Sequence, residues 1–454
     1  MIANAEQLQT VDQNNYRLQT LLPAVSVGLL TMAFIVAKTG RDALFFQGKG
    51  LFQLPVAYMA MGVASVPAAF LYVQAMKIWG ARAARVGIIV FAAAIMAAFV
   101  PLLPQMNYAV LLSLFIFIPT IFGPMFATIW LQAAELFENV SKTVAARCFS
   151  RIGASSLGGG IVGGFVSKGL ASYVEPYWLI LVGSLITLAA AAVVVQTHRS
   201  FPSPSGTKKD RREGEKIGVS LAFSKKYARS LLLISMTGAL AGLFIDFQFY
   251  AAASTARMGS KGNANFFANF YIMLNLGSLI LQLFAAPKIQ EKLGLRGGLL
   301  ILPFALLGGA TFVTAAATAL SRSVLKVTEG GLKSSIHRSI WEQAFIPVDS
   351  SERSIVKVFV DGIGARIAEG IGASLLFVWL MRMDASDPAA LNTGWIAWML
   401  LVTAAVWLWL TQNLRADLTR ESSPAPGSAR ERDLDCVRFP DQCPCTTEWG
   451  KGIS

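Results

Sequence analysis

Three clusters of ionisable residues interrupt an otherwise apolar chain, and their spacing is where chemistry could reside. VAKTGRDALFF (36–46) holds Lys38, Arg41 and Asp42. Lys38 and Asp42 stand four apart on one helical face and are expected to pair, which leaves Arg41 to point toward a cavity or the interface. An unpaired Arg beside a Lys suits an anion, because the guanidinium offers a fixed fork of donors. The plainer reading is that all three snorkel at a helix end. LFIDFQFYAAA (243–253) sets Asp246 and Gln248 in an aromatic run. Asp246 fits a helix–helix hydrogen bond, a pathway residue, or an ion-pair partner for a basic group. The densest charge lies in WEQAFIPVDSSERSIVKVFVDGIGARIAEG (341–370). There Lys357 and Asp361 are four apart, and Arg366, on the opposite side of that helix, can pair with Glu369 at i,i+3. Lys333, Arg338, Lys357 and Arg366 would line an entrance, and Lys38, Glu342 and Glu369 join that gate set. Charge pairs there would equally lock one conformation.

These charges stand out because of what surrounds them. The 454 residues are 54% hydrophobic and 14% charged, with a mean hydropathy of +0.55; soluble domains carry about 25% charge. Apolar runs long enough to cross a bilayer as helices recur along the chain. An ionisable group at mid-bilayer costs roughly 2.5–3.5 kcal/mol, so it faces a watery cavity or finds a partner. The pattern predicts an all-α membrane protein with twelve transmembrane helices, over about 18–37, 52–75, 85–103, 108–131, 149–169, 177–196, 230–250, 266–287, 297–318, 320–341, 358–381 and 393–411. The tenth is weak in hydropathy because it carries Lys326, Glu329, Lys333 and Arg338.

Residues 1–17 read as a polar N-terminus and 18–196 as a first six-helix half. The basic stretch 197–229 reads as a linker, 230–412 as a second half and 413–454 as a disordered tail. The net charge of +13 sits mostly in loops and the tail. That suits loops facing anionic lipid and gives no reason to invoke nucleic acid. Positive loops at 77–85, 199–229 and 288–296 place both termini in the cytoplasm. Two histidines provide no triad or metal constellation. Cys148 is isolated, and Cys436, Cys443 and Cys445 have no standard zinc spacing, although a metal or redox role is open to them. No enzyme, metal or cofactor is expected. SSLGGGIVGGF (155–165) formally contains G-x-G-x-x-G, but within a membrane span its GxxxG pairs, Gly159/Gly163 and Gly160/Gly164, serve close helix packing. Gly80–Arg82 and Gly294–Arg296 fall at matching places in the two halves, as do RIGASSLGGG (151–160) and RIAEGIGASL (366–375). Two six-helix pseudo-repeats of this kind suggest a major-facilitator-like transporter.

The segment 342–366, EQAFIPVD…KVFVDGIGAR, resembles the ATP/ADP translocases of plastids and intracellular bacteria, together with their bacterial relatives. Glu342, Ile346, Pro347, Asp349, Lys357, Asp361 and Arg366 match that family's pattern. GRDALFF (40–46) is similar to its span-one motif and IDFQFYAAA (245–253) to its span-seven motif, and FYIMLNLGSLILQLF (270–284) looks like its span eight. Two positions depart: Tyr250 stands where the family has a lysine, and Ile118–Pro119 where it has a glutamate. The resemblance implies nucleotide transport, with Arg41, Asp246 and Lys357 linked to it. On these grounds Arg41, Asp42, Asp246, Gln248, Lys357 and Asp361 are the expected substrate contacts. The expected partners are a small anionic solute, a nucleotide foremost, and lipid. The expected setting is a bacterial inner membrane, as a monomer. A proton-coupled carrier of a non-nucleotide solute, with Asp246 carrying the proton, and a non-transporting sensor or assembly factor are the competing readings.

Overall fold

The computed structural model describes residues 2–47, 50–137, 142–201, 226–255, 259–345, 348, 356–357, 360–361, 364–382 and 394–421. Helices dominate them. The first half comprises α1 (Ile2–Phe45), α2 (Gly50–Phe99), α3 (Tyr108–Leu136), α4 (Lys142–Ala171) and α5 (Tyr177–Ser200). The second comprises α6 (Lys226–Thr255), α7 (Gly259–Ile280), α8 (Ala286–Ala315), α9 (Ala319–Leu332), α10 (Arg338–Gln343), α11 (Ala365–Arg382) and α12 (Gly394–Glu421). Single π-turns, Leu281–Ala285 and Lys333–His337, join α7 to α8 and α9 to α10.

Nine stretches among the described residues are long and apolar enough to cross a bilayer. The other three expected spans fall on α4, on α9 with α10, and on α11, where glycine or charge lowers the hydropathy. Their packing places them in the bundle: α4 lies against α1 and α7, α9 against α6, α7 and α8, and α11 against α2 and α6. The surface is inverted relative to a soluble protein. Phe70, Phe304 and Trp398 are mostly exposed, whereas Arg41, Asp42, Arg85 and Glu329 are buried. Only an apolar solvent makes that arrangement favourable.

Two helices change direction at glycine. α2 contains spans two and three, and Gly80 breaks it at φ 82°, ψ 156°; α8 breaks at Gly294, φ 62°, ψ −167°. Both conformations are open essentially to glycine alone. The expected loop between spans two and three is thus a single break, made because glycine needs no extra chain to turn. The glycines of the paired Gly-x-Arg triplets both break their helix at positive φ.

The halves meet where α2 packs on α11 and α4 on α7. The repeat carries span two onto span eight and span five onto span eleven, so each contact is the image of the other. The glycines of α4 explain how closely it packs. A Cβ at Gly159 would overlap the Gly28 carbonyl oxygen, and one at Gly163 would lie 2.8 Å from that of Met32, both on α1. Gly160 and Gly164 instead face α7, where a Cβ would meet Asn275 and Ile272 at 2.5 Å. One GxxxG pair therefore binds α4 to its own half, and the other lays it against the opposite half.

Three boundaries differ from expectation. α1 is helical from Ile2, through the stretch read as a polar N-terminus. Arg85, read as a loop cation, is buried on α2, where it donates to Glu135 at 3.1 Å and meets His198 at 3.1 Å. α12 runs to Glu421, and the remaining tail, with Cys436, Cys443 and Cys445, lies outside the described residues, as do most of the linker and Pro347. Cys148 is buried and accepts a hydrogen bond from Thr20.

Candidate functional site

Asp42 lies near the end of α1, at the end of the bundle here termed outer, and is fully buried. A carboxylate offers about four acceptor positions, and all are taken. Arg41 donates to Oδ1 from Nε at 2.7 Å and from Nη2 at 2.5 Å. Tyr271 donates to Oδ2 at 2.6 Å and Tyr250 at 3.1 Å. Arg41 also donates to the Phe115 carbonyl at 3.3 Å and lies 4.0 Å over the Phe115 ring. At 4% exposure, Arg41 is a buried partner of Asp42 and does not point into a cavity.

The expected Lys38–Asp42 pair does not form. The adjacent Arg41 folds back onto Oδ1 while hydroxyls from the second half fill Oδ2, which leaves Lys38 no acceptor there. Its ammonium rests 4.7 Å from the Tyr271 ring centroid and 5.9 Å from that of Phe34.

The second centre grows from α6, where Asp246 and Tyr250 share a face at i,i+4. Asp246 pairs with Lys326 at 2.7 Å and accepts from the Tyr58 hydroxyl at 2.7 Å. Lys326 also meets Glu329 at 2.7 Å, and Glu329 meets Lys333 at 3.1 Å. The stripe Lys326, Glu329, Lys333 follows one face of α9 into its π-turn. Asp246 thus takes its cation from α9, within its own half. Neither Arg41 nor Lys357 serves it, because both are committed to nearer carboxylates. Gln248 lies two residues along, on the opposite face of α6; it is 1% exposed, and its amide has no hydrogen-bond partner among the described residues.

At the inner end, Lys357 meets Glu342 and lies 5.3 Å from the Phe345 ring centroid. Asp361 accepts from the Trp341 indole at 2.8 Å and forms no pair with Lys357. Arg366 and Glu369 pair at 2.7 Å, as their spacing predicts. Arg338 is exposed. Of the expected residues, Lys38, Arg41, Asp42, Asp246 and Lys333 gather at the meeting of the halves, and Arg366 and Glu369 lie on α11, which packs on α2. Arg338, Glu342, Lys357 and Asp361 lie toward the inner end, and Gln248 faces away from Asp246 on α6.

The halves exchange hydrogen bonds reciprocally. Asp42 of the first half is held by Tyr250 and Tyr271 of the second, and Asp246 of the second by Tyr58 of the first. Further outward, Phe46 stacks on Tyr250 at 4.1 Å, and Lys261 pairs with Glu175 at 3.5 Å. Tyr58 and Tyr271 carried no sequence signal beyond an aromatic in a span. Lys326 did carry one, an ionisable group inside a span.

This arrangement sits on a frame shared with known transporters. The fold is major-facilitator-like. The structure is similar to that of a mutant of nucleoside transporter NupG, with a TM-score of 0.61 and 13% identity, covering 87% of this chain and 99% of that one. It is also similar to the POT family transporter PepTSo, with a TM-score of 0.59 and 11% identity, covering 90% and 99%. No family model and no curated protein matches the sequence.

Proposed function

We propose that the protein is a secondary transporter that moves a small organic anion, a nucleotide foremost, by alternating access. The carrying observation is a set of charges, from fully buried Asp42 to half-exposed Lys333, at the junction of two pseudo-symmetric halves, where Asp42 is held by two tyrosines of the opposite half and Asp246 by one. Groups so placed bind a solute and report its presence to both halves. The fold likeness to nucleoside transporter NupG and to a POT family transporter, and the resemblance of 342–366 to nucleotide translocases, support the same reading. The contacts around Asp42, Phe46 and Glu175 close the outer end. An anion arriving from the inner side would compete for the donors that hold Asp42 and Asp246, and so loosen that closure. The protein would lie in a bacterial inner membrane with both termini cytoplasmic.

The test is uptake of labelled ATP into proteoliposomes preloaded with ADP. Uptake that requires internal nucleotide is expected. Uptake of no nucleotide under any gradient would remove the nucleotide assignment. The unbroken chain Tyr58–Asp246–Lys326–Glu329–Lys333 favours a second reading, proton-coupled transport, because linked hydrogen bonds can relay a proton. Uptake driven by a pH gradient with an empty lumen would select it.

A further inference from the structure

The charges at the junction do not cancel, and the surplus falls on one residue. Four cations, Lys38, Arg41, Lys326 and Lys333, face three carboxylates, Asp42, Asp246 and Glu329. Arg41 is matched by Asp42. Lys326 and Lys333 are matched by Asp246 and Glu329. Lys38 has no carboxylate within ion-pair distance among the described residues, since Asp42 has no acceptor position left for it. Its ammonium, with three N–H donors, rests against the faces of Tyr271 and Phe34. A ring face holds an ammonium without satisfying its hydrogen bonds. Lys38 is also only half-buried, whereas Arg41 is 4% and Lys326 15% exposed; Lys333, at 51%, is open to solvent but is held by Glu329. It is therefore the cation that a solute can reach without first breaking an ion pair.

We infer that Lys38 is the primary anion ligand and that the site is built for a solute with one anionic group, a phosphate monoester or a carboxylate. This rests on the organic-anion reading above and moves the recognition from Arg41 to Lys38. The anionic group would accept from the ammonium while Phe34 and Tyr271 flank it. Tyr271 also donates to Asp42, so occupation of Lys38 would be felt at the closure between the halves. A second or third phosphate would find Arg41, Lys326 and Lys333 already engaged and would add little affinity.

The experiment is thermal unfolding of the purified full-length protein in detergent, titrated with adenosine, AMP, ATP, inorganic phosphate and the monocarboxylate benzoate. Wild type, Lys38→Gln and Lys38→Arg are compared, each against its own ligand-free baseline. AMP or benzoate is expected to protect the wild type, with phosphate and carboxylate sources told apart by which one does. ATP should bind within about three-fold of AMP, since one cation is free. Lys38→Gln should weaken the preferred anion by about ten-fold or more, the loss of one charge-assisted hydrogen bond, and Lys38→Arg should recover part of it. Undiminished anion binding by Lys38→Gln would overturn the inference while leaving the anion reading intact. Affinity rising about ten-fold or more from AMP to ATP would overturn it by showing further free cations. Adenosine binding as well as AMP, or no anion binding to the wild type at all, would overturn both.

Discussion

Lys326 stands between Asp246 and Glu329, 2.7 Å from each, so its removal strands Asp246, while Glu329 keeps Lys333 at 3.1 Å. Breaking a buried ion pair by deleting one partner costs about 3–5 kcal/mol, whereas removing both partners is far milder. Lys326→Met should therefore lower the melting temperature sharply, and adding Asp246→Asn should restore part of it. A double mutant as unstable as the sum of the singles would show that the pair carries no coupling. Tyr271→Phe removes one of the four hydrogen bonds to Asp42 but keeps the ring beneath Lys38. It should cost about 1–3 kcal/mol of stability and leave anion affinity within a few-fold of wild type, as thermal unfolding with and without AMP would report. The pairing of Asp42 was not legible from spacing. Helical periodicity compares residues on one element, and the choice between Arg41 and Lys38 was made by hydroxyls arriving from α6 and α7. The Arg366–Glu369 pair was legible because both ends lie on one helix.

At the scale of elements, the glycines separate by what they touch. A side chain at Gly159 would strike the backbone of Gly28, which cannot yield, so Gly159→Ala should part α1 from α4 and lower expression of folded protein. Gly80 has open space around it, and its cost lies in the backbone alone. Gly80→Ala and Gly294→Ala should each destabilise by about 1–3 kcal/mol through strain, read as a drop in melting temperature with no change in oligomer size. Nine of the expected spans were readable because hydropathy and length suffice for them. α4, α9 and α11 fall short in apolar content for a reason connected with their positions. A helix packed against other helices on several sides can carry glycine and charge that a lipid-facing helix cannot. Where each span ends was less legible, since α1 and α12 continue as helices through polar sequence.

For the whole molecule, contacts between the halves concentrate toward the outer end, at Asp42, Tyr58, Phe46 and the Glu175–Lys261 pair. Cysteines placed at 175 and 261 and bridged by a short, cleavable thiol reagent should clamp that end and stop transport, and reductant should release it. Transport that continues through the clamp would rule out opening at this end. The contact between α4 and α7 bears on a different quantity. Gly160 and Gly164 present bare backbone to the opposite half, so few side chains have to climb over one another when the halves move. Shear along packed helices needs such a surface. The glycines there would govern how fast the molecule changes shape more than which shape it prefers. In a transporter of the proposed kind they would act as a bearing, and roughening it would be felt as slowness in a protein that still binds its cargo.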